Sequence, residues 1–230
     1  MTRSNHPSRV EGGVIRRYED HTRLAHWAIV LLFLCAALSG LAVFHPALFP
    51  LSLLFGGGPW DRVLHPFFGV LMAIGFAALA LQVWRDNVWR PRDTAWMRAA
   101  PRLIATADES RMPPVGKYNG GQKATFWVFV ASLCLLVATG FVFWQPWFAN
   151  AFPIPWRRVA VVVHATSAVV LILSVIMHAY AAIWVKGTLR AMSRGTVTDN
   201  WARQNHPLWY RDMRVQAGGP GAQVRPIDER

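Results

Sequence analysis

Cysteine is almost absent from this chain, which has only Cys35 and Cys134 among its 230 residues. Both lie within apolar runs, where a free cysteine ordinarily packs as a small hydrophobic residue, so we expect no disulfide. The sequence contains no C-x-x-C-H motif for covalent haem attachment and no spaced set of cysteines for an iron–sulfur cluster. A haem, if one is bound, must therefore be held without covalent attachment.

Acidic residues are also scarce, with 12 Asp and Glu against 24 Lys and Arg, and none lies within the four long apolar runs. These runs are Trp27–Phe44, Val63–Trp84, Thr125–Trp144 and Val159–Trp184. Each is long enough, or nearly so, to cross a bilayer, and 53% of all residues are hydrophobic. The composition predicts an all-α integral membrane protein, a four-helix bundle. The first 25 residues are too polar for a cleavable signal peptide, so we expect the first run to remain as a membrane span.

The basic residues follow the membrane topology. Of the 24 Lys and Arg, 21 precede the first run, lie between the second and third, or follow the fourth. By the positive-inside rule, both termini and the middle connection are predicted to be cytoplasmic, in the inner membrane of a bacterium. A net charge of +12 would suggest nucleic acid in a soluble chain, but no nucleic-acid motif accompanies it here.

The sequence predicts one domain with two loose ends. Residues 1–15 are polar, contain Gly12-Gly13 and are predicted to form a mobile tail, and residues 214–230 are predicted to form another. Residues 16–213 are predicted to form the four-helix domain. We expect His206, which precedes Pro207, to lie on the surface.

The fourth run contains two histidines, His164 and His178, on one helical face. They are fourteen residues apart, which on a helix is about 40° short of four turns and roughly 21 Å of height. Each would therefore lie within one leaflet. The residues could simply pack against other helices, but ionisable groups inside a membrane are costly and by default mark a functional site. The spacing suits two haem groups at different depths.

Topology then selects partner histidines. His65, near the start of the second run, shares the outer leaflet with His164, and His26, near the start of the first, shares the inner leaflet with His178. We predict two bis-histidine sites for haem b, with these four residues as the iron ligands. His45, in the first outer loop, is an alternative outer ligand that we rank below His65 because a loop residue has no fixed depth. Gly40, fourteen residues after His26, would allow a bulky group to approach the first helix.

The segment 112–123, which precedes the third run, is dense in glycine and amide side chains. On its own it indicates a turn before a helix. Its amides would also lie at the inner membrane face, where a quinone carbonyl requires hydrogen-bond donors.

These motifs together resemble the cytochrome b (gamma) subunit of membrane-bound respiratory formate dehydrogenases, from about Arg16 to Met213. The segments that carry the resemblance are Ala25-His26-Trp27, Leu64-His65-Pro-Phe-Phe-Gly69, Gly116-Lys-Tyr-Asn-Gly-Gly-Gln-Lys123, His164-Ala165, His178-Ala-Tyr180, Trp184-Val-Lys-Gly187 and His206-Pro-Leu-Trp-Tyr-Arg211.

The resemblance implies a function and partners. In that family formate is oxidised on a molybdenum- or tungsten-containing (alpha) subunit, electrons pass through an iron–sulfur (beta) subunit, and the gamma subunit carries two haems b and reduces quinone in anaerobic respiration. It also implies that Asn119, Gly121 and Gln122 contact the quinone beside the inner haem.

Two other functions compete with this one. A cytochrome b of a hydrogenase or related reductase would have similar histidine spacing, although the loop from Asn119 to Gln122 argues against it. A non-redox transporter that uses histidines for metal would need acidic or histidine partners along a continuous path. The histidines instead fall into two separated pairs, and the spans contain no acidic residue, which favours the redox function.

Overall fold

The structure, a computed structural model, describes residues 10–11, 13–106, 108 and 111–216. The α-helices in these residues are α1 (Asp20–Phe44), α2 (Gly58–Val83), α3 (Pro91–Thr106), α4 (Gly120–Phe143), α5 (Ile154–Trp184), α6 (Thr188–Arg194), α7 (Asp199–Asn205) and α8 (Pro207–Gln216). Short 3-10 helices span Pro46–Phe55, Trp84–Asn87 and Ala149–Ala151, and three strands are β1 (Val10–Glu11), β2 (Val14–Arg16) and β3 (Thr196–Thr198).

These elements form two compact units. The membrane unit comprises His21–Arg85 and Ala124–Trp184. The terminal unit comprises the described residues up to Asp20, within Asp86–Lys123 and from Val185 onward. The segments outside the apolar runs contribute a hydrophobic cluster of their own to the terminal unit.

Helices α1, α2, α4 and α5 are the four in the described chain that are long and apolar enough to cross a membrane. The most apolar 18-residue stretch of each helix has a mean hydropathy of 2.0 to 2.5. Only 11–17% of the residues in these stretches are buried within the protein. Apolar side chains that face outward in this way require lipid around them. The predicted membrane-spanning four-helix bundle is confirmed.

Each of the four membrane helices contributes one residue to the core of the membrane unit: Ala36, Met72, Leu133 and Leu171. Phenylalanine side chains from three of the helices pack around them. On α5, Leu171 lies seven residues from both His164 and His178, which is about 10 Å of helix in each direction. A packed apolar layer therefore separates the two histidine pairs.

Helix α2 begins earlier than the sequence suggested. The second apolar run begins at Val63, but the helix begins at Gly58, and Pro59 takes the first-turn position where a missing N–H costs nothing. Pro66 lies inside the helix. The N-terminal end of α2 consequently extends two turns beyond His65.

The terminal unit contains a small antiparallel sheet in the order β1-β2-β3 that the sequence did not predict. Ile15 pairs with Val197, and both are almost fully buried. They form a hydrophobic cluster with Ala191, Ala202 and Met213. Residues 10–11 and 14–15 of the predicted tail are therefore paired strands of this sheet. Residues 1–9 and 12 lie outside the described residues. At the other end, α8 continues to Gln216, so residues 214–216 of the predicted second tail are helical.

Candidate functional site

The two histidine pairs are called outer and inner after their predicted positions in the membrane. The outer pair joins α2 and α5. The ring centres of His65 and His164 lie 6.2 Å apart with their planes at 68°. Both residues are half-buried. Phe143 of α4 packs edge-on against His164, with 5.2 Å between ring centres.

The inner pair joins α1 and α5. The ring centres of His26 and His178 are 6.5 Å apart, with their planes at 49°. Trp27 and Phe129 pack edge-on against these two rings. Within the described part of the chain, the buried Nδ1 of His26 has no hydrogen-bond partner.

Both separations fit one metal ion between two imidazoles. Metal–imidazole bonds of ~2.0–2.1 Å, with each ring centre about 1.1 Å behind its nitrogen, place the two ring centres roughly 6.3 Å apart. The two measured values, 6.2 and 6.5 Å, lie on either side of this distance. The residues present therefore fit a haem held between two imidazoles at each pair.

Two hydroxyl side chains contact the outer histidines. Ser39 Oγ of α1 lies 3.0 Å from His65 Nδ1, and Thr139 Oγ1 of α4 lies 3.1 Å from His164 Nδ1. Sequence reasoning missed both. A repeated pattern in the sequence could have identified them. In two apolar runs a hydroxyl residue directly precedes a glycine, and a histidine lies 25 or 26 positions after the hydroxyl residue.

Glycine follows both hydroxyl residues and leaves room for the rings. A Cβ on Gly40 would lie 3.0 Å from His65 Cε1, whereas a Cβ on Gly140 would lie 3.5 Å from His164 Cε1. The close approach expected at Gly40 is therefore made by the His65 imidazole. Gly75 packs against Ile29, and nothing lies within 4 Å of a Cβ on Gly69.

His45 has a different role from the one considered for it. It is exposed, and its Nδ1 accepts a hydrogen bond from the backbone N–H of Ala47 at 3.2 Å. This contact caps the 3-10 helix that begins at Pro46. A ring nitrogen engaged as a cap acceptor in an exposed loop makes His45 a poor ligand, which favours His65.

The amide loop, residues 116–122, belongs to the terminal unit and ends in a capping box at the start of α4. Asn119 Oδ1 accepts from the N–H of Gln122 at 2.8 Å, and Gln122 Oε1 accepts from the N–H of Asn119 at 3.0 Å. The turn-before-helix interpretation is thus correct. The cap uses the two side-chain oxygens and does not use the NH2 donors.

Gly120 and Gly121 allow the start of α4 to approach α3. A Cβ on Gly120 would lie 2.7 Å from the Asp93 carbonyl oxygen, and one on Gly121 would lie 3.0 Å from the Trp96 ring. The missing side chain of Gly121 therefore makes room for Trp96. Any contact of Gly121 with a ligand would have to be made by its backbone.

A buried ion pair holds the same helix start. Lys123 Nζ lies 2.8 Å from Asp93 Oδ2 and donates to the Val88 carbonyl at 2.9 Å. Both side chains are only 2–3% exposed. Asp93 Oδ2 also accepts from the N–H of Arg90. The beginnings of α3 and α4 are thereby tied together.

Arg17 and His206 hold the other side of the loop, a role that the sequence did not indicate. Arg17 Nη2 donates to the Lys117 carbonyl at 2.6 Å. Its guanidinium lies within 6 Å of the ring centres of Tyr18, Tyr118, Trp201 and Trp209.

The prediction that His206 lies on the surface is wrong, since the residue is 3% exposed. Its Nδ1 lies 2.8 Å from the Gly116 carbonyl, to which it donates. Burial, with the positive charge of Arg17, lowers the pKa of His206 to about 3, although the bond to Gly116 acts in the opposite direction. His206 is therefore neutral at physiological pH.

The described residues contain no group of three or more His, Cys, Asp or Glu side chains that could enclose a metal ion. Four of the histidines, two of them on α5, occur as two separate pairs. A bundle of four membrane helices with two such pairs defines a membrane cytochrome b, a class whose cofactor is haem b.

The chain belongs to the prokaryotic cytochrome b561 family, whose model matches residues 17–195. It is 38% identical over 200 residues to the formate dehydrogenase cytochrome b556(fdo) subunit of Escherichia coli K12, covering 87% of this chain and 93% of the relative. It is 35% identical over 191 residues to the nitrate-inducible formate dehydrogenase cytochrome b556(Fdn) subunit of the same organism, covering 83% and 88%. The formate dehydrogenase cytochrome b556 subunit of Haemophilus influenzae Rd is 35% identical over 198 residues, covering 86% and 83%.

These similarities confirm the resemblance that the motifs indicated. The chain is a multi-pass protein of the inner membrane with an electron-transfer role, and the family implies haem b. Because its relatives are subunits of formate dehydrogenase complexes, partner subunits are implied as well.

Proposed function

We propose that this chain is the electron-transfer subunit of a formate dehydrogenase complex. It receives electrons from an iron–sulfur subunit on the outer side of the membrane and delivers them to quinone at the cytoplasmic face. The observation that carries the proposal is the presence of two histidine pairs, with ring centres 6.2 and 6.5 Å apart, on the same long helix α5.

Four histidines hold the cofactors in this proposal: His65 and His164 at the outer site, and His26 and His178 at the inner site. Haem b bound at each pair supplies a one-electron carrier. The packed layer around Leu171 keeps water out between the two sites. Formate oxidation itself takes place on a separate molybdenum- or tungsten-containing subunit, since the chain has two cysteines and no cluster motif.

The amides of Asn119 and Gln122 bind quinone. Their NH2 groups are not used in the capping box, so they can donate to a quinone carbonyl while the cap remains intact. Gly121 contributes through its backbone. The ion pair of Lys123 with Asp93 and the bonds from Arg17 and His206 keep this loop in one conformation.

Quinone reduction at the cytoplasmic face gives the chain an energetic role. Reduction to quinol takes two electrons and two protons, and the protons come most readily from the adjacent water. Electrons that enter on the outer side cross most of the membrane field, at ~2.3 kcal/mol per charge per 100 mV. The reaction therefore generates membrane potential.

The quinone site is tested with variants that keep the cap. Asn119→Ser and Gln122→Glu retain the oxygens of the capping box but lose the NH2 donors. In the assembled complex, formate should still reduce both haems. Each variant loses one hydrogen bond to the quinone, which contributes about 1.4 kcal/mol. Quinone binding should therefore weaken roughly tenfold and haem reoxidation should slow.

The exposed amide Asn200 of α7 offers a matched control, because Asn200→Leu removes an amide outside the loop. Asn119→Leu and Gln122→Leu, which remove the donor and the cap together, should be slower still. Normal reoxidation in both Asn119→Ser and Gln122→Glu would place the quinone elsewhere, with the outer face near His65 as the next candidate.

A further inference from the structure

Each outer histidine lies at the end of a short hydrogen-bond chain that starts at a helix carbonyl. Ser39 Oγ donates to the Cys35 carbonyl at 2.6 Å and lies 3.0 Å from His65 Nδ1. In α4, Thr139 Oγ1 donates to the Leu135 carbonyl and lies 3.1 Å from His164 Nδ1.

The direction of these bonds fixes the tautomer of both rings. A hydroxyl has one hydrogen, and in each case a backbone carbonyl receives it. The hydroxyl oxygen can then only accept from the imidazole, so the proton of His65 and of His164 lies on Nδ1. Nε2 is left with its lone pair, the form required of an iron ligand.

The arrangement occurs twice, in two helix pairs. Ser39-Gly40 of α1 contacts His65 of α2, and Thr139-Gly140 of α4 contacts His164 of α5. The separations along the chain are 26 and 25 residues. Two independent helix pairs therefore bring the same chemical group to the same ring nitrogen.

The inner pair differs. The Nδ1 of His26 is buried and has no hydrogen-bond acceptor among the residues that the structure describes. A hydrogen bond accepted from a ligating imidazole makes the ring more electron-rich and favours ferric over ferrous iron. At the outer site both rings donate such a bond, whereas at the inner site at least His26 donates none.

We propose that Ser39 and Thr139 are positioning residues that orient the two outer ligands and hold the reduction potential of the outer haem below that of the inner one. Electron flow inward would then be downhill. The inference rests on the proposed function, since it requires a haem at each pair.

The test is a redox titration of the assembled complex in membranes, with the two haem components resolved optically. The component that His65→Ala removes is assigned to the outer site. Thr139→Val preserves the volume of the side chain but removes the hydroxyl acceptor, so that His164 keeps only its contact with the Leu136 backbone. Thr139→Ser preserves the hydroxyl acceptor. Ser132→Ala is the control, since Ser132 is a buried hydroxyl of α4 with no described hydrogen bond to a histidine.

In Thr139→Val and in Ser39→Ala the potential of the outer component should rise while that of the inner component stays constant. We expect a shift toward ferrous iron of up to about tenfold, or 59 mV for one electron. Thr139→Ser and Ser132→Ala should titrate like the wild type. Selective loss of the outer haem in Thr139→Val but not in Thr139→Ser would also support positioning, because weakened second-shell contacts reduce metal affinity.

Unchanged potentials in both Thr139→Val and Ser39→Ala would overturn the inference, as would Thr139→Ser behaving like Thr139→Val. The wild-type titration separates this failure from that of the proposed function. Fewer than two haem components in the wild type would contradict the proposed function itself. Two components whose potentials are unchanged in both Ser39→Ala and Thr139→Val would contradict only the effect of the hydroxyls on the outer haem.

Discussion

At the residue scale, the histidines of this chain differ in what their ring nitrogens contact. His65 and His164 face hydroxyl oxygens through Nδ1, and His206 donates its Nδ1 proton to a loop carbonyl. His45 instead accepts a bond and caps a helix. Nδ1 of the two proposed ligands therefore contacts a hydroxyl side chain, whereas Nδ1 of each of the two structural histidines bonds a backbone group.

His206 makes the terminal unit sensitive to acid. Its pKa is about 3 in the folded protein, against 6.5 for an unperturbed histidine side chain. When the loop opens, His206 becomes accessible and can be protonated, whereas in the closed loop it stays neutral. Its stabilisation of the closed loop is therefore complete above pH 6.5 and is lost as the pH falls toward 3. At pH 5 we expect a loss of roughly 2 kcal/mol in the free energy of opening.

Hydrogen exchange of the backbone amides in residues 115–122, corrected for intrinsic rates, measures this opening at pH 7 and pH 5. His206→Asn keeps a donor for the Gly116 carbonyl but does not titrate. The free energy of loop opening in this variant should therefore hardly change between pH 7 and pH 5. An equal loss in the wild type and in the variant would show that another group is responsible.

At the element scale, the start of α4 combines three constraints. The capping box fixes its first turn, the glycines allow it to approach α3, and Lys123 joins it to Asp93. Each constraint acts within residues 93–123. The amide loop is consequently held by helix ends, which suits donors that must remain in place.

Lys123→Ala should destabilise this region strongly, because it leaves a buried carboxylate without its partner. Loss of one member of a buried pair costs about 3–5 kcal/mol. The matched control is Lys117→Ala, which breaks the pair of Lys117 with Asp86; these side chains are 28% and 40% exposed. An exposed pair of this kind contributes ~0–1 kcal/mol.

Limited proteolysis and hydrogen exchange of the loop give the comparison between these two variants. Lys123→Ala should open it far more than Lys117→Ala. Similar protection in the two variants would mean that the capping box alone holds the loop.

At the scale of the whole molecule, the sequence predicted the membrane unit better than the terminal unit. Four long apolar runs without acidic residues predict membrane-spanning helices. The rise per residue of a helix then predicts the depth of each histidine in the membrane. These predicted depths were sufficient to pair His65 with His164 and His26 with His178. The membrane unit could therefore be derived from simple periodicity.

The terminal unit could not be derived in this way, because its contacts join segments far apart in the chain. Ile15 meets Val197, and His206 meets Gly116 across 90 residues. Nothing local to His206-Pro207 distinguishes a buried histidine from an exposed one. Ser39 and Thr139 were missed for a related reason, since a hydroxyl residue in a membrane helix commonly bonds its own i−4 carbonyl whether or not it also serves a ligand.

The charge distribution predicts that both termini are cytoplasmic, with 21 of the 24 basic residues on that side. Fusions after Arg214 to a reporter that is active only in the periplasm should be inactive, and fusions to a cytoplasmic reporter should be active. A fusion within the 3-10 helix Pro46–Phe55 should give the opposite pattern. Periplasmic activity after Arg214 would invert the proposed direction of electron flow.

The most direct test of two histidine-held haems is the haem content of the purified complex, measured as pyridine haemochrome per copy of this chain. The geometry predicts two haems b in the wild type. It predicts one in His164→Ala, which should lose the outer haem, and one in His178→Ala, which should lose the inner haem. One haem or none in the wild type, or two haems remaining in either variant, would contradict the paired sites on α5.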